Sequence, residues 1–201
     1  MMEYFSITNI SVAVIVLAFL YFIYEAIKLR KIKGIIDNVS DAENILDALG
    51  ETKLASLKNA YFETITIKTS EGEKTNIPSY EFFSEEHSCK AVKLNLRLLD
   101  SASGTLVGLG LLGTFLGLTL GVKDFDSSDA SHIQESIQIL LSGMATAFTT
   151  SLFGMTFSIF FTCLDKSWRN KLSKSLYILT EKLDKTYYID DITLATINQG
   201  N

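Results

Sequence analysis

Thr114 and Ser151 each stand near the middle of a long, uncharged segment, in GTLVGLGLLGTFLGLTLGV (104–122) and GMATAFTTSLFGM (143–155). A hydroxyl offers one donor and two acceptor lone pairs. In apolar surroundings it either bonds back to a carbonyl one turn earlier in its own helix or meets a polar group or ion brought beside it. If the two segments form an antiparallel pair, the hydroxyls lie at similar depth, and spacing alone leaves both chemistries open. Cys89 and Cys163 form no C-x-x-C pair, carry no zinc-ligand pattern and read as free thiols. Asp124, Asp126 and Asp129 crowd the short stretch KDFDSSDASHIQ, where they either gather cations or are simply solvated. No nucleophile elbow, P-loop or H-E-x-x-H is present, so neither an enzymatic activity nor a cofactor or metal is expected.

The elements that must position these hydroxyls are membrane spans. Mean hydropathy is +0.23, and Pro occurs once in 201 residues, which is unusual for a soluble globule. Phe5 to Tyr24, Ser101 to Val122 and Ser136 to Leu164 contain no Asp, Glu, Lys or Arg. A span needs about 20 such residues, whereas helices of ordinary domains average about 11 to 12. A net charge of −5 with no basic face argues against nucleic acid as a partner.

Flanking charge orients the spans. Lys28, Arg30, Lys31 and Lys33 follow the first, Lys166, Arg169, Lys171 and Lys174 follow the third, and MMEYFSITN has no basic residue. By the positive-inside rule both clusters are cytoplasmic. The expected organisation is an N-out transmembrane helix at 1–24, a cytoplasmic helical region at 25–100, spans at 101–122 and 136–164 joined by an outer loop at 123–135, and a cytoplasmic C-terminal helix at 165–201. His87 and His132 then lie on opposite sides of the membrane and cannot share a site. The start lacks the basic region and cleavage site of a signal peptide, so the first span is expected to remain as an anchor.

Helical spacing of Ile32, Ile36, Val39, Leu46 and Leu49 predicts an amphipathic helix continuing from the first span. Alternation at Ile65 and Ile67, with a turn at Gly72, predicts a small β-hairpin near 62–77. After Pro78 a helix is expected to resume through Val92, Leu96 and Leu99 into the second span. Trp168, Leu172, Leu176, Leu179 and Leu183 extend the third. The fold class is thus an all-α membrane protein, with three transmembrane helices, cytoplasmic helical extensions and one small hairpin.

On a helical wheel Val107, Gly110, Thr114, Gly117 and Gly121 share a face opposite Leu109, Leu112, Leu116 and Leu120. In the third span Gly143, Ala147, Ser151, Gly154 and Ser158 oppose Phe153, Phe157, Phe160 and Leu164. Lipid provides no water-driven attraction between helices, so association relies on close packing. Gly110, Gly117 and Gly154 are the positions expected to let neighbouring backbones approach.

GLGLLGTFLGL followed by GMATAFTTSLFGM resembles the paired signatures of the MotA/TolQ/ExbB proton-channel family. There a G-L-x-G-T helix precedes a helix with a hydroxyl residue three positions before a Gly, and Thr114 and Ser151 occupy the hydroxyl positions. Within the family, GTFLGLTLG and SLFGMTFSIFFTCLDK are most similar to the ZorA proteins of Zorya anti-phage systems. The energisers of outer-membrane transport usually have a Trp shortly after the G-T, where Phe115 and Leu116 stand here. ZorA proteins generally continue into a long cytoplasmic tail. This sequence stops at Asn201, as a piece of a longer protein or a short relative would.

The resemblance implies a ring of five copies in the bacterial inner membrane around two copies of a ZorB-, MotB- or ExbD-like single-span partner. A membrane Asp of that partner takes up an ion outside and releases it inside. The three apolar runs contain no carboxylate, which agrees with a partner that supplies one. Thr114 and Ser151 are then the expected ion-pathway residues. Two classes of function stay open: an ion-driven motor or stator subunit, serving defence, outer-membrane transport or a flagellar-type motor, and a passive membrane scaffold.

Overall fold

Long uninterrupted apolar sequence yields long helices, because in lipid every backbone N–H and C=O must find its partner within the segment. The computed structural model describes residues 2–69, 72–123 and 130–199. In chain order the elements are α1 (Met2–Ser40), α2 (Ile45–Gly50), α3 (Ala55–Phe62), β1 (Ile67–Thr69), β2 (Gly72–Lys74), a 3-10 turn (Ser79–Glu81), α4 (Glu85–Ala91), α5 (Leu96–Lys123), α6 (Ala130–Tyr187) and α7 (Asp191–Gln199). Of these, α1, α5 and α6 are long and apolar enough to cross a membrane. Of the stretch read as an outer loop, Lys123 closes α5 and residues from Ala130 belong to α6. Asp124, Asp126 and Asp129 lie outside the described residues.

Two compact units divide the chain. One joins the first part of α1, up to Ala26, with Arg97–Lys166; the other joins Ile27–Leu96 with Ser167–Asn201.

In the first unit α5 and α6 form an antiparallel pair along their glycines: Gly110 lies against Gly154 and Thr150, and Gly117 against Gly143 and Ala147. The phenylalanine side of α6 meets α1. Phe19 stacks on Phe157 with centroids 4.6 Å apart and planes at 16°, and Phe22 tilts against Phe161 at 6.0 Å. Ile15, Phe22 and Ala26 of α1 are buried. Aromatic pairs of this kind are worth about 0.5–1.5 kcal/mol beyond the area they bury.

In the second unit the periodic leucines and isoleucines are the core. Leu29, Ile32, Ile36 and Val39 of α1 and Leu172, Leu176, Leu179 and Leu183 of α6 are buried, together with Leu46, Leu49, Leu54, Tyr61, Phe83 and Leu94. Tyr61 takes Phe82 and Phe83 edge-on at 5.6 and 5.9 Å. The hairpin forms where alternation places it, with Ile67 opposite Lys74 and Thr69 opposite Gly72, whose φ of 123° only glycine adopts without strain. Thr75 then clips the strand to the end of α6: its N–H donates to the Tyr187 carbonyl at 2.8 Å, and its own carbonyl accepts from Ile189 at 2.9 Å.

Two expected continuities are broken. The helix leaving the first span ends at Ser40, and Leu46 and Leu49 belong to the separate α2, whose entry is capped by Asn44 accepting from the Asp47 N–H. Likewise no single helix runs from Pro78 into α5. Ser84 caps α4, which closes at Val92 in a Schellman motif: Lys93 sits at φ 57°, the Leu94 N–H reaches the Cys89 carbonyl at 2.9 Å, and the Lys93 N–H reaches that of Lys90 at 2.9 Å. The cap orients Leu94 inward, and the next helix starts afresh at Leu96.

Candidate functional site

The site is built on the α5–α6 seam, where small residues bring two backbones together. A Cβ placed on Gly117 would come within 2.8 Å of the Gly143 carbonyl oxygen, and one on Gly154 within 2.7 Å of the Gly110 Cα. The buried line on α5 is Leu106, Gly110, Gly113, Gly117 and Gly121. Leu106 stands in the place that the helical wheel assigned to Val107, which is 41% exposed. On α6 the buried line is Gly143, Ala147, Thr150, Gly154, Ser158 and Phe161. Ser151 is only half-buried and lies against Gly110 through its backbone. The helix that Gly110, Gly117 and Gly154 contact is therefore the chain's own.

Thr114 is half-buried beside this seam. Its Oγ1 lies 3.0 Å from the Gly110 carbonyl, one turn back, and 3.2 Å from the Ala147 carbonyl across the pair. Thr150 converges on the same acceptor from the other side, with Oγ1 3.1 Å from the Ala147 carbonyl and 3.0 Å from that of Thr146. Its side chain fills the space that Gly113 leaves open: a Cβ on Gly113 would fall 2.7 Å from the Thr150 Cβ. Thr114 thus reaches Ala147, one turn before Ser151, rather than being held by Ser151 itself.

Thr150 and Gly113 are the residues that the wheel passed over. Thr150 is too bulky for a stripe defined by smallness, and it is buried because a glycine faces it. A second group of hydroxyls ties the same two helices further along. Ser103 and Ser158 Oγ atoms are 2.7 Å apart, Ser158 Oγ lies 3.0 Å from the Ser103 carbonyl, and Thr162 Oγ1 reaches Ser103 Oγ at 3.1 Å. Ser103 can donate to Ser158 and Ser158 to the Ser103 carbonyl, while the one Thr162 proton is shared between Ser103 Oγ and the Ser158 carbonyl, which lies nearer at 2.8 Å. Closed in this way, the cluster is a clasp.

Other chemistry-bearing side chains stand apart. Cys89 is buried, and burial, helped by the nearby Glu85 carboxylate, pushes its thiol up to about 12. Cys163 is an exposed free thiol on the α6 surface. The His87 N–H is part of the α4 cap, and His132 belongs to α6.

Three apolar helices, two of them zipped along glycines with hydroxyls in the seam, define a polytopic helical membrane protein. The ZorA-like anti-phage proteins of Zorya type I systems match this sequence over residues 6–191, and the chain belongs to that family. Zorya protein ZorA of an ETEC strain of Escherichia coli is 37% identical over 114 residues, which is 57% of this chain and 16% of the relative. ZorA of the Crooks strain of Escherichia coli is 36% identical over 77 residues, 38% of this chain and 14% of the relative. The matched stretch is less than a fifth of either relative's length.

Proposed function

We propose that the chain is the ring-forming, ion-path subunit of a Zorya-type anti-phage motor in the bacterial inner membrane, with its N-terminus outside and its C-terminus in the cytoplasm. Five copies surround a ZorB-like single-span partner, and the partner's membrane Asp carries the ion past Thr114 and Ser151. Family membership and the absence of any carboxylate from the apolar runs support this reading.

The observation that carries it is the environment of the Thr114 hydroxyl, which has two alternative acceptors and is only half-buried. With its proton on the Gly110 or Ala147 carbonyl, Oγ1 presents lone pairs and can accept from a protonated Asp. Rotated away, it donates to the ionised Asp. A charged Asp at mid-bilayer costs about 2.5–3.5 kcal/mol on insertion scales. Interhelical polar bonds in membranes are worth roughly 0.6–2 kcal/mol. Each contact is weak enough to release the Asp when its charge changes, so repeated protonation can drive stepwise movement of ring against partner.

One observation favours a passive scaffold: the Thr114 and Thr150 hydroxyls already have carbonyl partners within the pair. Reconstituting the chain with its partner in liposomes and measuring ion flux separates the two. The motor reading requires partner-dependent flux that Thr114→Val with Ser151→Ala abolishes in an assembled complex; the scaffold reading requires flux that is absent or indifferent to both.

A further inference from the structure

Arg30, Lys33 and Gly34 of α1 and Trp168 and Lys171 of α6 line one open cleft of about 420 Å³ in the second unit. Three cationic residues and a tryptophan meet there, and among the charges beside them Asp37 is paired with Lys33. Burial alone would raise the Asp37 carboxyl, but hydrogen bonds from Lys33 and Ser175 outweigh it and hold the group below its ordinary value. Asp37 therefore stays ionised and offsets one cation, leaving Arg30 and Lys171, both exposed, as the excess positive charge.

Position along the chain says what such a cleft would meet. Arg30 follows Tyr24, the last residue of the first apolar run, by six positions, and Trp168 follows Leu164, the last of the third, by four. Lys and Arg beside a span attract anionic headgroups, and Trp is enriched at the level of the headgroups. Guanidinium forks suit phosphate oxygens, while a lysine contributes a mobile point charge.

We propose that this cleft is a binding site for the phosphodiester of an anionic membrane phospholipid. Arg30 and Lys171 clamp the phosphate oxygens, Trp168 donates its indole N–H at the headgroup, and Lys33 adds a donor while remaining paired with Asp37. Gly34 keeps the floor open: a Cβ placed there meets nothing within 4 Å. The site stands independently of the ion-path reading, since it needs only that the apolar runs enter a membrane.

Native mass spectrometry of the full chain in detergent, titrated with phosphatidylglycerol or phosphatidylcholine, tests it. The chain should retain phosphatidylglycerol in preference to phosphatidylcholine. Arg30→Gln and Lys171→Gln should each weaken phosphatidylglycerol binding roughly fivefold, Arg30→Lys should retain most of it, and Lys174→Gln, outside the cleft, should leave it unchanged. Gly34→Leu adds bulk at the floor without removing charge, from a position where a Cβ has open space, so it should also lower binding, and it decides the matter if the charge variants fold poorly. Phosphatidylglycerol binding unaltered by Gly34→Leu and by both Gln variants would overturn the site. Displacement of the lipid by excess inorganic phosphate would overturn the lipid assignment in favour of a soluble anion.

Discussion

Gly117 and Gly143 face each other across the α5–α6 seam so closely that neither has room for a methyl group. A Cβ on Gly143 would lie 2.5 Å from the Gly117 carbonyl oxygen, and one on Gly117 would lie 2.8 Å from that of Gly143. The obstacle in both directions is backbone, which cannot turn aside as a side chain can.

Gly143→Ala should therefore destabilise the folded protomer by about 1–3 kcal/mol, the usual cost of overpacking, and Gly117→Leu by more. Thermal unfolding in detergent reads this. Because the seam is internal to one chain, stability of the protomer should fall whatever the chain assembles into; a protomer of unchanged stability would contradict the Gly117–Gly143 contact.

Thr114 and Thr150 share the Ala147 carbonyl but differ in access, which gives a paired test of the ion path. Thr114→Val should lower partner-dependent flux in a complex that still assembles, and adding Ser151→Ala should lower it further. Thr150→Val removes a fully buried hydroxyl bonded to its own helix, so flux should stay near that of the parent, with a stability change of about 0.5–1.5 kcal/mol. Equal flux in all three variants would remove Thr114 and Ser151 from the path.

Lys93 occupies the left-handed position of the α4 cap, where a side chain costs about 1–2 kcal/mol and glycine costs none. Part of that gain is lost to the greater freedom of glycine in the unfolded chain. Lys93→Gly should raise stability by about 0.5–1 kcal/mol, and Lys93→Val, branched at Cβ, should lower it. Denaturation midpoints of the three proteins check the order.

Orientation can be read with thiol probes. With Cys163→Ser as the background, Asn170→Cys, at an exposed position that the proposed topology puts in the cytoplasm, should resist an impermeant maleimide in intact spheroplasts, while Ser128→Cys should react. Ser175 is unsuitable as a probe because it is buried. Cys89 can remain: enclosed, with its thiol pushed up to about 12, it stays protonated at neutral pH and should label only after unfolding. Labelling at position 170 without labelling at 128 would reverse the topology.

Much of the architecture is local and so could be read in the residues themselves. Uncharged runs longer than a bilayer needs become helices whatever surrounds them, and the leucine spacing from Trp168 to Leu183 puts one face of α6 into a core. Alternation about Gly72 likewise suffices for a two-strand hairpin. A 3.6-residue period names the approximate side of a helix, but neighbouring positions differ by only about 100°, so the partner surface decides which of them enters the contact. That choice replaced Val107 by Leu106 on α5 and placed Thr150, rather than Ser151, opposite Gly113. The Ser103–Ser158–Thr162 clasp joins residues more than fifty positions apart, so no local pattern announces it. The breaks at Ser40 and Lys93 have the same origin: helical spacing continues through both, and it is the burial of Leu46, Leu49 and Leu94 in the second unit that turns the chain out of its helix.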